Sequence, residues 1–192
     1  MPFVPKVLAL SGSTREHSFN KKLVRIAMAG VTAAGGEATF LDLRDLQLPV
    51  FDEDLEKGGP HAGVKRLKEV MRAHHGLLIA SPEYNSSISA VLKNAIDWAS
   101  RPEPGEPPLS CFNDKVAALM ACSPGALGGL RGLVHLRSIL GNINVIVLPQ
   151  QVAVGKVHEA MDASGQLTDP KQRASVEQLG AKVAGTIRKL HA

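Results

Sequence analysis

Five short apolar runs recur along the chain, KVLAL, ATFLDL, GLLIAS, KVAALMAC and NVIVL, and the stretches between them carry apolar residues at helical spacing instead. Runs of that length predict strands buried on both faces of a sheet. After the first run, Leu23, Ile26, Ala27, Gly30 and Val31 fall on one helical stripe that Gly35 and Gly36 close. Val64, Leu67, Met71 and His74 mark a second helix, and Ile88, Val91, Leu92, Ala95, Ile96 and Ala99 a third. A fourth runs from about Leu130 to Leu140, and Val176, Leu179, Val183, Ile187 and Leu190 define a last one. Strands alternating with helices predict a doubly wound α/β domain spanning 1–192, because each crossover must be right-handed and cover the sheet.

In such a sheet ligands bind outside the carboxyl ends of the strands. Three polar loops fall on that edge. SGSTREHSFN follows the first strand and opens a helix, and it has neither the GxGxxG nor the GxxxxGK[ST] pattern. Ser11, Ser13, Thr14, Arg15, Ser18 and Asn20, with the amides of a helix start, suit a terminal phosphate. Ser18 reads equally as the helix N-cap. SPEYNSS, after the third strand, sets Pro82, Glu83, Tyr84 and Asn85 where a planar ring would lie against the sheet; its plainer reading is a turn and a helix start capped by Ser87 or Ser89. SPGALGG, after the fourth, offers bare backbone and little side-chain bulk to a flat ligand, or is simply a turn that needs positive φ.

Composition narrows the choices. With 192 residues and 44% apolar content, one sizeable domain is expected. The formal charge is +4, yet basic residues are interspersed with acidic ones and aromatics make up only 4%, which argues against nucleic acid and still suits an anionic small substrate. Cys111 and Cys122 form no CxxC pair and are expected to be reduced, Cys122 as a small buried strand residue. His74 and His75, adjacent in sequence, point apart on a helix, so no metal site is expected. The opening MPFVPKVLAL lacks the features of a signal peptide and no run is long enough to cross a membrane, so a soluble cytoplasmic protein is expected.

Taken together, LALSGSTREHSFN, IASPEYNSSISAVLKNAIDWASRP and CSPGALGGLRGLVHLRSILG resemble the NAD(P)H-dependent FMN reductase family, which includes quinone and chromate reductases. The resemblance implies a flavodoxin-like sheet of order 2-1-3-4-5, bound FMN, and NADPH or NADH as hydride donor. It implies that Ser11, Ser13, Arg15, Ser18 and Asn20 hold the FMN phosphate, that Pro82 to Asn85 line the isoalloxazine, and that the Ser123 to Gly125 loop completes the pocket. Flavin then carries the chemistry with no catalytic side chain, passing electrons to quinones, flavins or other small acceptors, chromate and azo compounds among them, by a ping-pong mechanism. The alternative is an FMN-binding electron carrier or sensor, against which the basic charge and scarce aromatics weigh. Family members commonly have proline and glycine where Ser89 and Ala90 stand, and often glycine at Ser86, which leaves acceptor preference open. The segment Leu130 to Ile143 is apolar over more than one stripe, which predicts a homodimer, alone or paired into a tetramer, with a deeply buried helix as the alternative. Trp98 is expected to serve packing or an interface.

Overall fold

A computed structural model describes residues 3–59 and 61–192. The main sheet consists of β1 (Lys6–Ser11), β2 (Glu37–Leu41), β3 (Gly76–Ala80), β6 (Val116–Cys122) and β7 (Ile146–Val154), all parallel, in the order β2-β1-β3-β6-β7. This is the flavodoxin-like order expected from the sequence, with the reversal between β1 and β3. A second, two-stranded sheet is formed by β4 (Glu83–Tyr84) and β5 (Ser87–Ile88).

Strand residues alternate between two apolar layers. Val7, Ala9, Leu78, Ala80, Ala118 and Met120 face α1 (Phe19–Ala33) and α7 (Pro170–Leu190), while Leu8, Leu10, Leu77, Ile79 and Leu119 face α3 (Ala62–Arg72), α4 (Ala90–Ser100) and α5 (Leu130–Asn142). Two short helices, α2 (Glu53–Lys57) and α6 (Val157–Ala160), lie in connections. On the first face α1 and α7 touch backbone to backbone: a Cβ on Gly30 would stand 1.7 Å from the Glu177 carbonyl oxygen, and one on Gly180 1.9 Å from that of Ala27. Only glycine permits that approach.

Several elements differ from expectation, each for a physical reason. Ile88 belongs to β5 and not to the third helical stripe, because Ser89 caps α4 by accepting from the Leu92 N–H at 3.2 Å. The last strand runs on past Pro149, which cannot donate to a ladder; the register shifts there, between the Ala117–Val147 and Leu119–Gln151 pairs. Arg137 from α5 satisfies the irregular stretch by donating to Leu148 O (2.8 Å) and Gln151 Oε1 (3.0 Å). The long connection after β2 is anchored by the KNAIDWASRP segment. Asn94 donates to Pro49 O and accepts from Phe51 N, both at 2.8 Å, and Trp98 Nε1 donates to Pro49 O at 2.8 Å. Arg101 then pairs with Glu56. Trp98 is thus a packing residue, edge-on to Phe51 at 4.9 Å.

Candidate FMN site

The loop after β1 ends at the N-terminus of α1, and it is rich in donors the protein leaves unused. Among the described residues, none of the backbone N–H groups from Ser13 to Lys21 makes a well-formed bond to a backbone carbonyl, and only that of Arg15 meets a side chain, Ser13 Oγ at 3.4 Å. No acidic residue lies in the first turn of α1, so the positive end of its dipole stands uncompensated. Glu16 leans toward Arg44 at 3.6 Å, and Lys21 is spent on Asp42 at 2.6 Å. Ser18 occupies the N-cap position with extended backbone but makes no capping bond, so of its two readings the structural one is not realised. This donor set suits a phosphate.

Beside it opens a cleft of about 510 Å³ lined by Ser13, Arg15, Ser18, Asn20, Pro82, Glu83, Tyr84 and Ser123, which come from all three loops singled out in the sequence. Phe19, Cys122 and Pro124 line it as well. Ser11, Thr14, Asn85 and Gly125 do not. Thr14 and Asn85 are exposed, and Gly125 accepts through its carbonyl from the Gly128 and Lys156 N–H groups. Ser11 sits behind the loop, and its Oγ is the one buried side-chain polar atom without a partner among the described residues. The residues present therefore fit a phosphate-bearing, flat ligand.

The PEYN segment is a hairpin. Asn85 and Ser86, with φ of 51° and 63°, form a two-residue turn of the type that normally recruits glycine. Three bonds strap the hairpin to α5. Ser87 Oγ meets His135 Nδ1 at 2.9 Å, and the Glu83 carboxylate accepts from Arg131 Nε (2.7 Å) and from the Gly132 N–H (3.1 Å). Since the N-cap position of α5 is Gly129, a residue with no side chain to accept from the first turn, Glu83 supplies the cap from another element. Burial pushes the Glu83 carboxyl up, but the Gly132 amide and the Arg131 guanidinium outweigh it and hold the group below the usual glutamate range. The acid expected to meet the ring is thus engaged by α5.

Two further contacts were not readable from spacing. Ser89 Oγ donates to Gly12 O at 2.5 Å, joining α4 to the phosphate-side loop, and a Cβ on Gly12 would come within 2.9 Å of that hydroxyl. Asn20, read as a phosphate ligand, places both ends of its amide on the Cys122 backbone. The Cys122 thiol is pushed up to about 12 by burial and is inert at neutral pH. A larger groove of about 1040 Å³ lies beside α3, but its buried cation Lys68 is already paired with Glu103 and the Arg101 carbonyl.

Comparison with known proteins places the sequence in a family. The profile of the NADPH-dependent FMN reductases covers residues 5–159. The chain belongs to that family. An NAD(P)H-dependent FMN reductase of Pseudomonas aeruginosa is 39% identical over 174 residues, covering 90% of each chain. A 2-hydroxy-1,4-benzoquinone reductase of a Burkholderia species is 32% identical over 184 residues, 95% of this chain and 96% of the relative. Among solved structures, the flavoenzyme NAD(P)H:(acceptor) oxidoreductase FerB of Paracoccus denitrificans superposes with a TM-score of 0.80 at 29% identity, over 97% of this chain and 98% of its own. As an FMN reductase the chain is an oxidoreductase that uses FMN and NAD(P)H. Among the described residues no helix is long and apolar enough to cross a membrane.

Proposed function

We propose that the chain catalyses electron transfer from NAD(P)H to quinones, with FMN seated in the cleft between the α1 N-terminus and the hairpin. Bound FMN supplies the redox chemistry, accepting hydride and delivering electrons to the acceptor. The protein's part is positioning. The unused N–H groups from Ser13 to Lys21, with Ser13, Arg15 and Ser18, hold the phosphate; Pro82 and Tyr84 border the ring, and the exposed Tyr84 leaves the cleft open to a second planar molecule. The observation that carries this reading is the row of unpartnered donors opening onto a cleft at the carboxyl edge of the sheet. Relatives named as quinone reductases support quinone as acceptor, and donor and acceptor using one opening in turn would give ping-pong kinetics.

The same reading includes a homodimer. Leu133, Leu136 and Leu140 of α5 are buried, while Leu130 (42% exposed) and Val134 (60%) of the same helix and Leu127 (53%) just before it leave apolar surface exposed. A second copy covering that surface would account for it, and two dimers could pair into a tetramer. We place the protein in the cytoplasm, where its pyridine nucleotide donors are held. Titrating FMN and riboflavin against wild type and Arg15→Ala tests the phosphate assignment. A loss of affinity for FMN alone is expected, and an equal loss for both ligands would overturn it.

A further inference from the structure

Asn20 is the second residue of α1 and 4% exposed. Its Nδ2 donates to Cys122 O and its Oδ1 accepts from Cys122 N–H, both at 3.0 Å, across 102 residues of sequence. The position explains the pairing. β3 pairs with β6 as far as Ala80 and Met120, and the Ser81 N–H still donates to Met120 O at 3.0 Å. The next rung would engage Cys122, but at Pro82 the chain turns away into the hairpin, and proline has no N–H to give. The amide of Asn20 takes the place of the missing strand, presenting one donor and one acceptor as a peptide group would. The other edge of Cys122 is held by β7, through its pairing with Val154, and the Ser123 N–H donates to Val154 O at 3.1 Å.

We infer that Asn20 is a positioning residue that locks the Ser123–Gly125 loop to the phosphate end of α1, setting the distance between the two walls of the flavin cleft, and is not itself a ligand of the phosphate. The inference rests on the FMN reading above. Asparagine is the side chain that can do this: aspartate offers no donor to Cys122 O, and serine and alanine cannot reach both groups. Because the clasp joins two walls, its loss loosens the whole flavin and not one end of it.

The test compares FMN and riboflavin affinities of the apoprotein, by flavin fluorescence quenching, for wild type, Asn20→Ala and Arg15→Ala. Asn20→Ala is expected to weaken both ligands by the same factor, about tenfold, and to shift the visible band of bound flavin. Arg15→Ala serves as the phosphate-selective reference. A loss confined to FMN would make Asn20 a phosphate ligand, and no loss for either would deny it any part in the site. Both results overturn the inference. Should Asn20→Ala not fold, the wild-type side-chain amide decides. With the clasp, one Nδ2 proton exchanges slowly and neither Nδ2 signal moves on addition of inorganic phosphate; rapid exchange of both protons, or a phosphate-dependent shift, refutes it. These exchange measurements need no flavin, so they still judge the clasp if wild type binds neither ligand, the result by which the FMN reading itself would fail.

Discussion

Replacing Glu83 probes the link between the hairpin and α5. Glu83→Ala removes the acceptor of the Gly132 N–H, a cap worth about 1 kcal/mol. It also removes a negative charge from a helix N-terminus, worth about 0.3–1 kcal/mol. The ion pair adds only a few tenths of a kcal/mol, because Arg131 is 59% exposed and turns to water when released. Relief of the carboxylate's burial offsets part of the sum, so we expect a net loss of about 1.5 kcal/mol, or roughly 3–6 °C in Tm for a chain of this size. Glu83→Gln keeps an acceptor and loses the charge, and should fall in between. Its pH dependence has a definite sign. The folded-state carboxyl lies below its usual range, so the charge stabilises at neutral pH and the advantage is lost as pH falls through that depressed value. Urea unfolding from pH 7 down to pH 3 should therefore show wild type and Glu83→Gln converging in acid. A Glu83→Ala loss below about 0.3 kcal/mol at pH 7, or a gap to Glu83→Gln that stays constant with pH, would refute the capping argument.

Ser86→Gly should stabilise the fold by about 0.5–1 kcal/mol in urea unfolding, since glycine adopts φ of 63° without strain. Gly30→Ala gains about 1 kcal/mol of helix propensity but drives a Cβ to 1.7 Å from a carbonyl oxygen; calorimetry should show a net loss of about 2 kcal/mol or more as α1 and α7 separate. His75 accepts from the Lys6 N–H at 3.0 Å through Nδ1 and must be neutral to do so. Burial, then His191, Lys115, Lys6 and His74, push its pKa below 6.5, so the unfolded chain binds the extra proton and stability falls as pH drops from 6.5 through the folded value. Tm measured between pH 7 and pH 5 should decline less in His75→Gln than in wild type.

Periodicity was enough to place the five main strands and their covering helices, because strands buried on both faces read as continuous apolar runs and each helix keeps one stripe. It could not reveal β4 and β5. Two-residue strands show no alternation, and their turn carries Asn85 and Ser86 where a glycine would have signalled it. The extension of β7 was hidden by Pro149, and the guanidinium that rescues it comes from Arg137 on another element. In the site, local chemistry brought Ser13, Arg15, Ser18, Pro82, Tyr84 and Ser123 to one cleft. The places of Glu83 and Asn20 were not legible, because each is decided by a backbone partner distant in sequence, Gly132 for one and Cys122 for the other. A polar side chain beside a ligand loop reads as a ligand until the backbone it satisfies is known.

The central claim, that this cleft seats an FMN which NAD(P)H reduces and a quinone reoxidises, is tested most directly by anaerobic stopped-flow absorbance of the FMN-loaded protein. On mixing with NADPH or NADH the flavin band should bleach in a single turnover, and a quinone added afterwards should restore it with no further nucleotide. A flavin that binds but keeps its colour through saturating NADPH and NADH would contradict the account and mark the protein as an FMN-binding carrier.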